Sequence, residues 1–485
     1  MREWMMRAGG LLMVLGTLPA SAQVRPDSLP PLPDTLRLYG ADLPVRLDVP
    51  ELAPPPDARL VTLEEAVRLA LARNPDRLIS ALEAERAAND ATRHNAGYYP
   101  DVDFNSRLSG NRSGPATTTG SDGTVRRNMG STSLSSDVTL GYTVFDGNRR
   151  AATYRRLRAE RARAVYDADA DAEALVRDVV GAYLNVVREQ GLEDAREQAV
   201  RVSEDRLRVQ EARVRIGTGA DVDAALALAD LNADRAALLR ERIALQQARL
   251  FLGELLALDD PSAVAVAERD VLTTPDATGA TELSAEAVAA AAEARNRALR
   301  VSEASETSAR EVVREVRAEY LPSVRLTAGY GATASDRGIL PELEPSLTGS
   351  LNYGLSLTWP LYDARDRDRR LANANLRVEQ AELVSERVRT ALRSDAVRLA
   401  GDVDAYQRLA GLEAQNAAIA RRNVEVALAQ LEQGQISPLD LRQVQLAALD
   451  ADTRLVDARY RLRLAEAELR LLTGTLLPPD AALAE

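Results

Sequence analysis

Few residues in this sequence have side chains suited to acid–base, nucleophilic or metal chemistry. His94 is the only histidine among 485 residues, cysteine is absent, and the 61 basic residues are all arginine. A Ser-His-Asp triad would have to use His94, and a multi-histidine zinc site or a P-loop or Schiff-base lysine is excluded. The sequence also lacks G-x-S-x-G, H-E-x-x-H and G-x-G-x-x-G motifs. We therefore expect no enzymatic activity, no cofactor and no metal.

The net charge of the chain bears on which kinds of molecule it could bind. The formal net charge is −12, and an acidic chain is a poor partner for nucleic acid. Acidic groups bias a pore towards cations, but an acidic surface exposed to water is the more common reason for such a charge. Both explanations stay open, and neither favours nucleic-acid binding.

The N-terminus predicts export. Arg2 and Arg7 give a charged start, an apolar run follows at 8–18, and Ala20-Ser21-Ala22 forms a small-residue cleavage site. Residues 1–22 are therefore predicted to be a signal peptide. The run is too short to span a bilayer of ~30 Å, and no other segment reaches about 18 uninterrupted apolar residues.

Most of the remaining chain is an internal repeat. Tyr99-Pro100 has a counterpart at Leu321-Pro322, 322 − 100 = 222 residues later, and further short segments recur in the same order. The order of the matching segments predicts two copies of one structural unit. A proline-rich N-terminal arm at 23–60 precedes the copies, an irregular linker at 259–283 separates them, and a tail at 475–485 follows.

Each copy is predicted to contain the same elements. A helix comes first, from Thr62 to about Gly97 and from Ser284 to about Tyr320, and Thr62 forms a capping box with Glu65. The other elements of repeat 1, residues 61–258, are strands at about 101–109 and 134–146, a long helix at 148–216 and a return helix at 222–258. Those of repeat 2, residues 284–474, are strands at about 323–331 and 350–362, a long helix at 364–433 and a return helix at 439–473.

The long helices and the strands have different periodicities. Both long helices lack proline and would run for roughly 100 Å, and apolar residues such as Val176, Val180 and Tyr183 keep coiled-coil spacing. Each strand alternates apolar and polar residues, which gives one apolar and one polar face. Such strands either cover a soluble core or form the wall of a lipid-facing barrel.

Three features favour the barrel. The strands are about 10 residues long, as a membrane barrel requires, and the sequence shows no separate soluble core for them to cover. Aromatic residues cluster at the helix-side ends of the strands, as an interfacial girdle would: Tyr98, Tyr99, Phe145, Trp359 and Tyr362. Four strands cannot close a barrel, since the smallest bacterial barrels have about eight, but a trimer would supply 12.

These motifs resemble one known family. The segments Y-P-D-V-x-F from Tyr99, L-P-S-V-R-L from Leu321, Y-T-V-F-D-G-N-R-R from Tyr142 and T-W-P-L-Y-D from Thr358, with two glycine turns, are similar to TolC-type outer-membrane efflux proteins. The resemblance covers about 62–477. It implies a mainly α-helical homotrimer with a 12-stranded β-barrel in outer-membrane lipid and a long coiled-coil tunnel in the periplasm, with the 259–283 linker at its equator.

The resemblance also implies partners and site residues. Such trimers dock a periplasmic adaptor and serve an inner-membrane transporter of RND, ABC or MFS type, in efflux or type I secretion. The adaptor would meet the two glycine turns, which otherwise serve only to close helix hairpins: Gly217, Thr218, Gly219, Ala220, Asp221 and Val222, and Gly434, Gln435, Ile436, Ser437, Pro438 and Leu439. Members of this family can carry an acidic constriction shortly before the second glycine turn, and Glu425 and Glu432 are the matching candidates. A solvated helix face explains either residue slightly better.

The functional hypothesis is passive conduction through a channel that is closed at its tip by packing and charge contacts. Two alternatives stay open. A periplasmic coiled-coil scaffold without a pore would account for the long helices but not for the strands. A periplasmic hydrolase would have to use His94, which lies near the end of a helix with no nucleophile motif nearby.

Overall fold

The computed structural model describes ten stretches of the chain: 35–38, 41–45, 49–56, 58–111, 116–119, 125–128, 131–267, 269–272, 284–336 and 346–476. The predicted signal peptide, 1–22, and most of the predicted tail lie outside the described residues. Among the helices of these stretches, none has the length and apolar character needed to cross a membrane.

The elements of the arm and of the first repeat occur in the following order: β1 Thr35–Leu38, β2 Ala41–Pro44, β3 Arg59–Val61, α1 Leu63–Arg73, α2 Pro75–Asp90, β4 Asp101–Asn111, β5 Ala116–Thr119, β6 Val125–Asn128, β7 Ser131–Phe145, α3 Arg149–Arg215 and α4 Asp221–Leu255. Those of the linker and the second repeat follow: β8 Val264–Val266, α5 Ala285–Arg295, α6 Arg297–Ala318, β9 Ser323–Asp336, β10 Ser346–Thr358, α7 Asp366–Glu432 and α8 Pro438–Leu472.

The two repeats match each other most closely in their long helices and return helices. α3 and α7 both have 67 residues, and α4 and α8 both have 35. Both pairs begin at the same offset, 366 − 149 = 217 and 438 − 221 = 217. We call α3 with α4 the first hairpin and α7 with α8 the second hairpin. Because the offset is constant, each residue of one hairpin has a defined counterpart in the other.

The prediction of one continuous helix before each strand pair was wrong. Asn74 and Asn296 each end one helix and cap the next, in extended backbone conformations. The Asn74 side chain accepts from the N–H of Asp76 and donates to the Leu255 carbonyl at 3.2 Å. Asn296 donates in the same way to the Leu472 carbonyl. The break therefore ties each pair of short helices to the end of a return helix.

The strand and linker bounds also differ from those predicted. The last strand starts earlier and ends at Thr358 rather than at 362, because the Trp359-Pro360 step leaves the sheet. The linker is not wholly irregular, since β8 pairs in parallel with β3 of the arm. Between the first two predicted strands the structure has a further short hairpin, β5–β6.

One antiparallel sheet has the order β10-β9-β7-β4. Its register places apolar side chains side by side, as in Leu351 opposite Tyr330 and Tyr330 opposite Val138. The intervening positions carry polar residues and glycine, including Asp137 opposite Gly331. The sheet therefore has one apolar and one polar face, as the alternation predicts.

The main core lies where the arm, α1, α3, α4 and β8 meet. Tyr183 of α3 is fully buried there, and its hydroxyl donates to the Val61 carbonyl at 3.3 Å. Separate apolar clusters follow each hairpin towards its turn. A chain of small clusters is what long paired helices allow, because each stretch of helix buries only the side chains that face its neighbour.

Candidate functional site

The first turn follows the end of α3. The N–H of Gly217 donates to the carbonyl of Val214 at 3.0 Å, and that of Thr218 donates to the carbonyl of Arg213 at 2.9 Å. This pair is a Schellman motif. Gly217 has a φ of 75°, a left-handed conformation in which glycine carries no Cβ penalty. Gly219 is also confined, because a Cβ there would lie 2.9 Å from the Arg213 Cβ.

The second turn repeats this geometry. The N–H of Gly434 donates to the carbonyl of Leu431 at 2.9 Å, and that of Gln435 donates to the carbonyl of Gln430 at 2.8 Å. Gly434 has a φ of 73°. Both long helices therefore end in the same way, at a glycine with a left-handed backbone. The sequence indicated these ends because a glycine directly follows each long helical pattern.

The two turns differ in how the return helix begins. The Ser437 hydroxyl accepts from the N–H of Asp440 at 3.2 Å, and the Asp440 carboxylate accepts from the N–H of Ser437 at 3.0 Å. Hydrogen bonds from Ser437 hold the pKa of the Asp440 carboxyl below its ordinary value. Ala220 has the matching place in the first turn and forms no side-chain cap. The second turn is thus the more firmly capped, with Pro438 starting α8.

Both turns present apolar side chains to solvent. Ile216 is 68% exposed, Val222 is 52% exposed and Leu439 is 64% exposed. Of the predicted docking residues, to which Ile216 does not belong, Thr218, Asp221, Gly434 and Gln435 are also exposed, whereas Ile436 packs against the apolar cluster of the second hairpin. The Arg213 guanidinium donates to the carbonyl of Leu431 and links the two turns. The turns therefore form one joined surface with a small apolar area.

The two candidate constriction residues have different surroundings. Glu425 is exposed and pairs with Arg422 at 2.6 Å, one helical turn away. Glu432 ends α7 and is partly buried, and burial together with the Asp205 carboxylate raises its pKa. Asp205 belongs to α3, so Glu432 faces the first hairpin of its own chain.

A buried polar cluster that the sequence did not reveal joins the two hairpins. The Arg442 guanidinium of α8 donates to both oxygens of Asp234 on α4, at 2.6 and 3.0 Å. Ser203 of α3 donates to the same carboxylate at 2.5 Å, and Gln445 donates to Ser203 at 2.8 Å. Burial lowers the pKa of Arg442, but the Asp234 carboxylate outweighs that effect and raises it overall. We call these four residues the hairpin lock.

The sheet and the aromatic candidates lie at the opposite ends of the long helices from the two turns. The most exposed apolar residues of the sheet share one face: Val102, Phe104, Leu108, Tyr330, Leu351, Tyr353, Leu355 and Leu357. Tyr99, Phe145, Trp359 and Tyr362 are exposed at the helix-side ends of the strands. Tyr98 instead packs edge-on against Tyr154 of α3 and under Arg150.

His94 is the residue that the sequence analysis considered for catalysis. His94 is exposed in the turn after α2. In the described stretches, no group of three or more His, Asp or Glu side chains could hold a metal ion.

Comparison with known proteins agrees with this architecture. The Campylobacter jejuni CmeC outer membrane channel is 17% identical, with 85% of each chain covered and a TM-score of 0.72. VceC of Vibrio cholerae is 16% identical over 85% of this chain and 96% of its own, with a TM-score of 0.70. The Neisseria gonorrhoeae MtrE outer membrane channel, in its open state, is 16% identical over 92% and 98%, with a TM-score of 0.64. At these identities the likeness shows the fold.

No curated protein matches the sequence. The family model described as outer membrane efflux protein matches residues 66–258 and 288–475, which correspond to the two repeats. These matches confirm the predicted fold class, a mainly α-helical chain with a repeat and four strands for a membrane β-barrel. The chain belongs to the outer membrane efflux protein family.

Proposed function

We propose that the protein is the trimeric outer-membrane exit duct of a tripartite efflux or type I secretion system. The signal peptide at 1–22 directs export, the apolar face of the sheet contacts lipid, and the hairpins form the tunnel wall in the periplasm. The observation that carries the proposal is the four-stranded sheet, whose most exposed apolar residues share one face while its edge strands each pair on one side only within the described chain.

The need for other copies follows from the sheet edges. β4 and β10 would each leave a row of backbone donors and acceptors unpaired, which is not tolerated in lipid. Pairing β4 of one chain with β10 of the next satisfies both rows. Three copies then close a barrel of about 12 strands, a size within the range of bacterial barrels.

The helices support the same assembly. α7 exposes apolar residues in two runs, spaced by seven residues except for one gap of 14 between Leu383 and Val397: Leu376, Leu383 and Val397, then Leu412, Ile419 and Val426. Such a stripe is the seam that a coiled coil buries against a neighbouring helix. Within the described chain α7 packs mainly on α8, α6 and α5, so a second copy is the occupant that completes the tunnel wall.

Opening of the tunnel is assigned to the hairpin lock. Its four residues hold α8 of the second hairpin against α3 and α4 of the first. Separating the hairpins would expose the buried Asp234 carboxylate and the partly buried Arg442 guanidinium to water, and hydration of both groups would offset part of the free-energy cost of breaking their contacts. The lock therefore keeps the tip closed at rest and can open when a partner stabilises the separated state.

The partners follow from the family and from the tip surface. A periplasmic adaptor would dock on the turns, where Ile216, Val222 and Leu439 supply exposed apolar contacts. An inner-membrane transporter of RND, ABC or MFS type supplies the energy, and conduction through the duct is passive. Four of the aromatic candidates mark the lipid interface, and Glu425 is the more accessible of the two proposed constriction residues.

The test uses neighbouring positions on opposite faces of one strand. Leu355 is 68% exposed on the apolar face, and Ser356 lies on the polar face. Arginine in lipid costs about 2–4 kcal/mol near the middle of the membrane. Leu355→Arg should therefore reduce recovery in the outer-membrane fraction, and Ser356→Arg should leave it unchanged. Equal recovery of the two variants, or a water-soluble wild type, would favour the scaffold without a pore.

A further inference from the structure

The first hairpin holds part of the proline-rich arm through a ladder of arginines. Arg235 donates to the carbonyl of Val45 at 2.6 Å, Arg242 donates to those of Val49 and Pro50 at 3.1 Å, and Arg249 donates to that of Leu52 at 3.2 Å. The three arginines are seven residues apart on α4, so they share one face of the helix.

The spacing of these contacts gives the direction in which the arm lies along α4. Fourteen residues of α4, from Arg235 to Arg249, rise about 21 Å at 1.5 Å per residue. Val45 and Leu52, the arm residues that contact the two ends of this stretch, are seven positions apart in the sequence. The arm therefore runs along α4 from the tip side towards the equator.

The arginines also fasten the arm to both helices. Arg235 donates to Glu204 of α3 at 2.9 Å, and Arg242 donates to Glu193 and Glu197 of α3 at 2.9 and 2.8 Å. Both arginines are buried. Each guanidinium thus joins α3, α4 and the arm, and its charge is balanced by carboxylates while its remaining N–H groups meet backbone carbonyls.

A pocket for one arm side chain completes this site. Val45 is 1% exposed and packs in the cluster that includes Ala224, Ala227, Leu228 and Leu231 of α4. The small alanines leave room for an inserted valine between the helices. The site therefore combines shape, apolar contact and backbone recognition, which is how an extended peptide is bound.

The second hairpin keeps only one of the residues of this site at the matching positions. At the constant offset of 217 residues, the larger Leu441 and Val444 replace the two alanines. Asp452 replaces Arg235 and pairs directly with Arg421 at 2.8 Å. Arg459 keeps the place of Arg242, but alanines at 410 and 414 replace its two glutamates.

We propose that the first hairpin carries a binding site for an extended peptide, and that its occupant is the chain's own segment of Val45 and residues 49–52. This segment acts as a strap that ties α3 to α4. It makes the first tip the fixed one of each chain and leaves the second hairpin as the part that moves. The role in movement rests on the proposed channel function, whereas the strap itself does not.

The strap is tested by the labelling rate of one introduced thiol, because the natural chain has no cysteine. Val45→Cys should react slowly with a maleimide, and Leu60→Cys, at a position that is 64% exposed, should react quickly. Adding Arg235→Gln and Arg242→Gln should speed the reaction at position 45 by about tenfold or more, since several charge-assisted hydrogen bonds are lost. Arg459→Gln, the matched change in the second hairpin, should leave the rate unchanged.

Amide hydrogen exchange tests the difference between the tips without altering the arginines. Val45→Asp places a charge in the apolar pocket and should release the strap from the arm side. Exchange should then rise by about tenfold in peptides around Thr218 and stay constant around Gln435. Fast labelling of Val45→Cys in the wild-type background, or equal exchange changes at both tips, would overturn the strap.

The strap and the channel proposal can fail separately. A protein that conducts ions but labels rapidly at position 45 would reject the strap and keep the channel. A protein that never conducts but protects position 45 and shows the tip difference would reject the channel and keep the strap.

Discussion

At the scale of single residues, the hairpin lock is the feature on which the account depends most. Asp234 is buried and shares its carboxylate between Arg442 and Ser203. These residues come from helices far apart in sequence, since 208 positions separate Asp234 from Arg442. Single-sequence patterns carry no signal for such a pair, whereas the tip glycines were predictable because helix termination is a local property.

The lock makes a prediction about stability. Arg442→Gln leaves the buried Asp234 carboxylate without its cation, so the free energy of unfolding should fall by about 3–5 kcal/mol. Asp234→Asn in the same chain should restore much of the loss. Arg422→Gln removes an exposed pair and should change the free energy by less than about 1 kcal/mol. Denaturant titration measures all three, and an equal loss for Arg422→Gln would contradict a buried lock.

A second residue-scale prediction concerns pH. Burial, with a contribution from Asp169, raises the pKa of Glu173 from 4.5 to about 7, although Arg297 lies 3.8 Å away and opposes the shift. Between these values the folded chain keeps a proton that the unfolded chain has lost. Glu173 therefore lowers stability progressively as the pH rises from about 4.5 to about 7.

Glu173→Gln should remove this contribution. The variant should gain thermal stability over the wild type at pH 8 and gain little at pH 4.5. Glu425→Gln, at an exposed carboxylate, is the control and should not alter the slope of stability against pH. A Glu173→Gln chain with the wild-type slope would show that this buried carboxyl is not the titrating group.

At the scale of elements, the tip glycines and the glycines inside α7 should respond with opposite signs. Gly217→Ala meets no nearby atoms but must keep a φ of 75°, so it should destabilise by about 1 kcal/mol. Gly401→Ala also meets open space but lies within a helix, so it should stabilise by about 1 kcal/mol. Thermal unfolding of both variants checks this, and a shift in the same direction would refute the turn geometry.

The elements also show where prediction from the sequence reaches its limit. The long proline-free periods of α3 and α7 located both helices to within two residues of their ends. The break at Asn74 had a local signal in the following Pro75, but the equivalent break at Asn296 has none. Both asparagines act through a hydrogen bond to a return helix, and that contact exists only in the folded chain.

At the scale of the whole molecule, the exposed stripe on α7 predicts the assembly. Leu412→Asp with Ile419→Asp would place two charges in the seam that we propose to be buried between chains. We expect the trimer to dissociate in mild detergent, because each buried unpaired charge costs several kcal/mol. Arg408→Asp, at an exposed position of the same helix paired with Asp404, is a control of similar charge change. The mass of the intact protein–detergent complex gives the number of chains in each variant. A stable trimer in the doubly substituted variant would contradict the proposed α7 interface.

The overall architecture was predictable because each weak sequence pattern occurs twice, once in each copy of the repeat. Each strand pair and each turn is ambiguous alone, but their recurrence in one order fixed the class of fold and the family. The strap was not predictable, since a proline-rich segment indicates extended backbone without indicating the surface that binds it. The seven-residue spacing of the three arginines does not indicate a ligand, because the arm carbonyls that they bind lie about 190 positions away in the sequence.

The most direct test of the central claim is single-channel recording in a planar lipid bilayer. The wild type should insert and show small or rare conductance steps, because we propose that the hairpin lock keeps the tip closed. Arg442→Gln should give larger or longer openings, and Arg408→Gln, which removes only the exposed pair with Asp404, should behave like the wild type. A protein that inserts but never conducts, in the wild type, in Arg442→Gln and with Gly217 and Gly434 both replaced, would contradict the account.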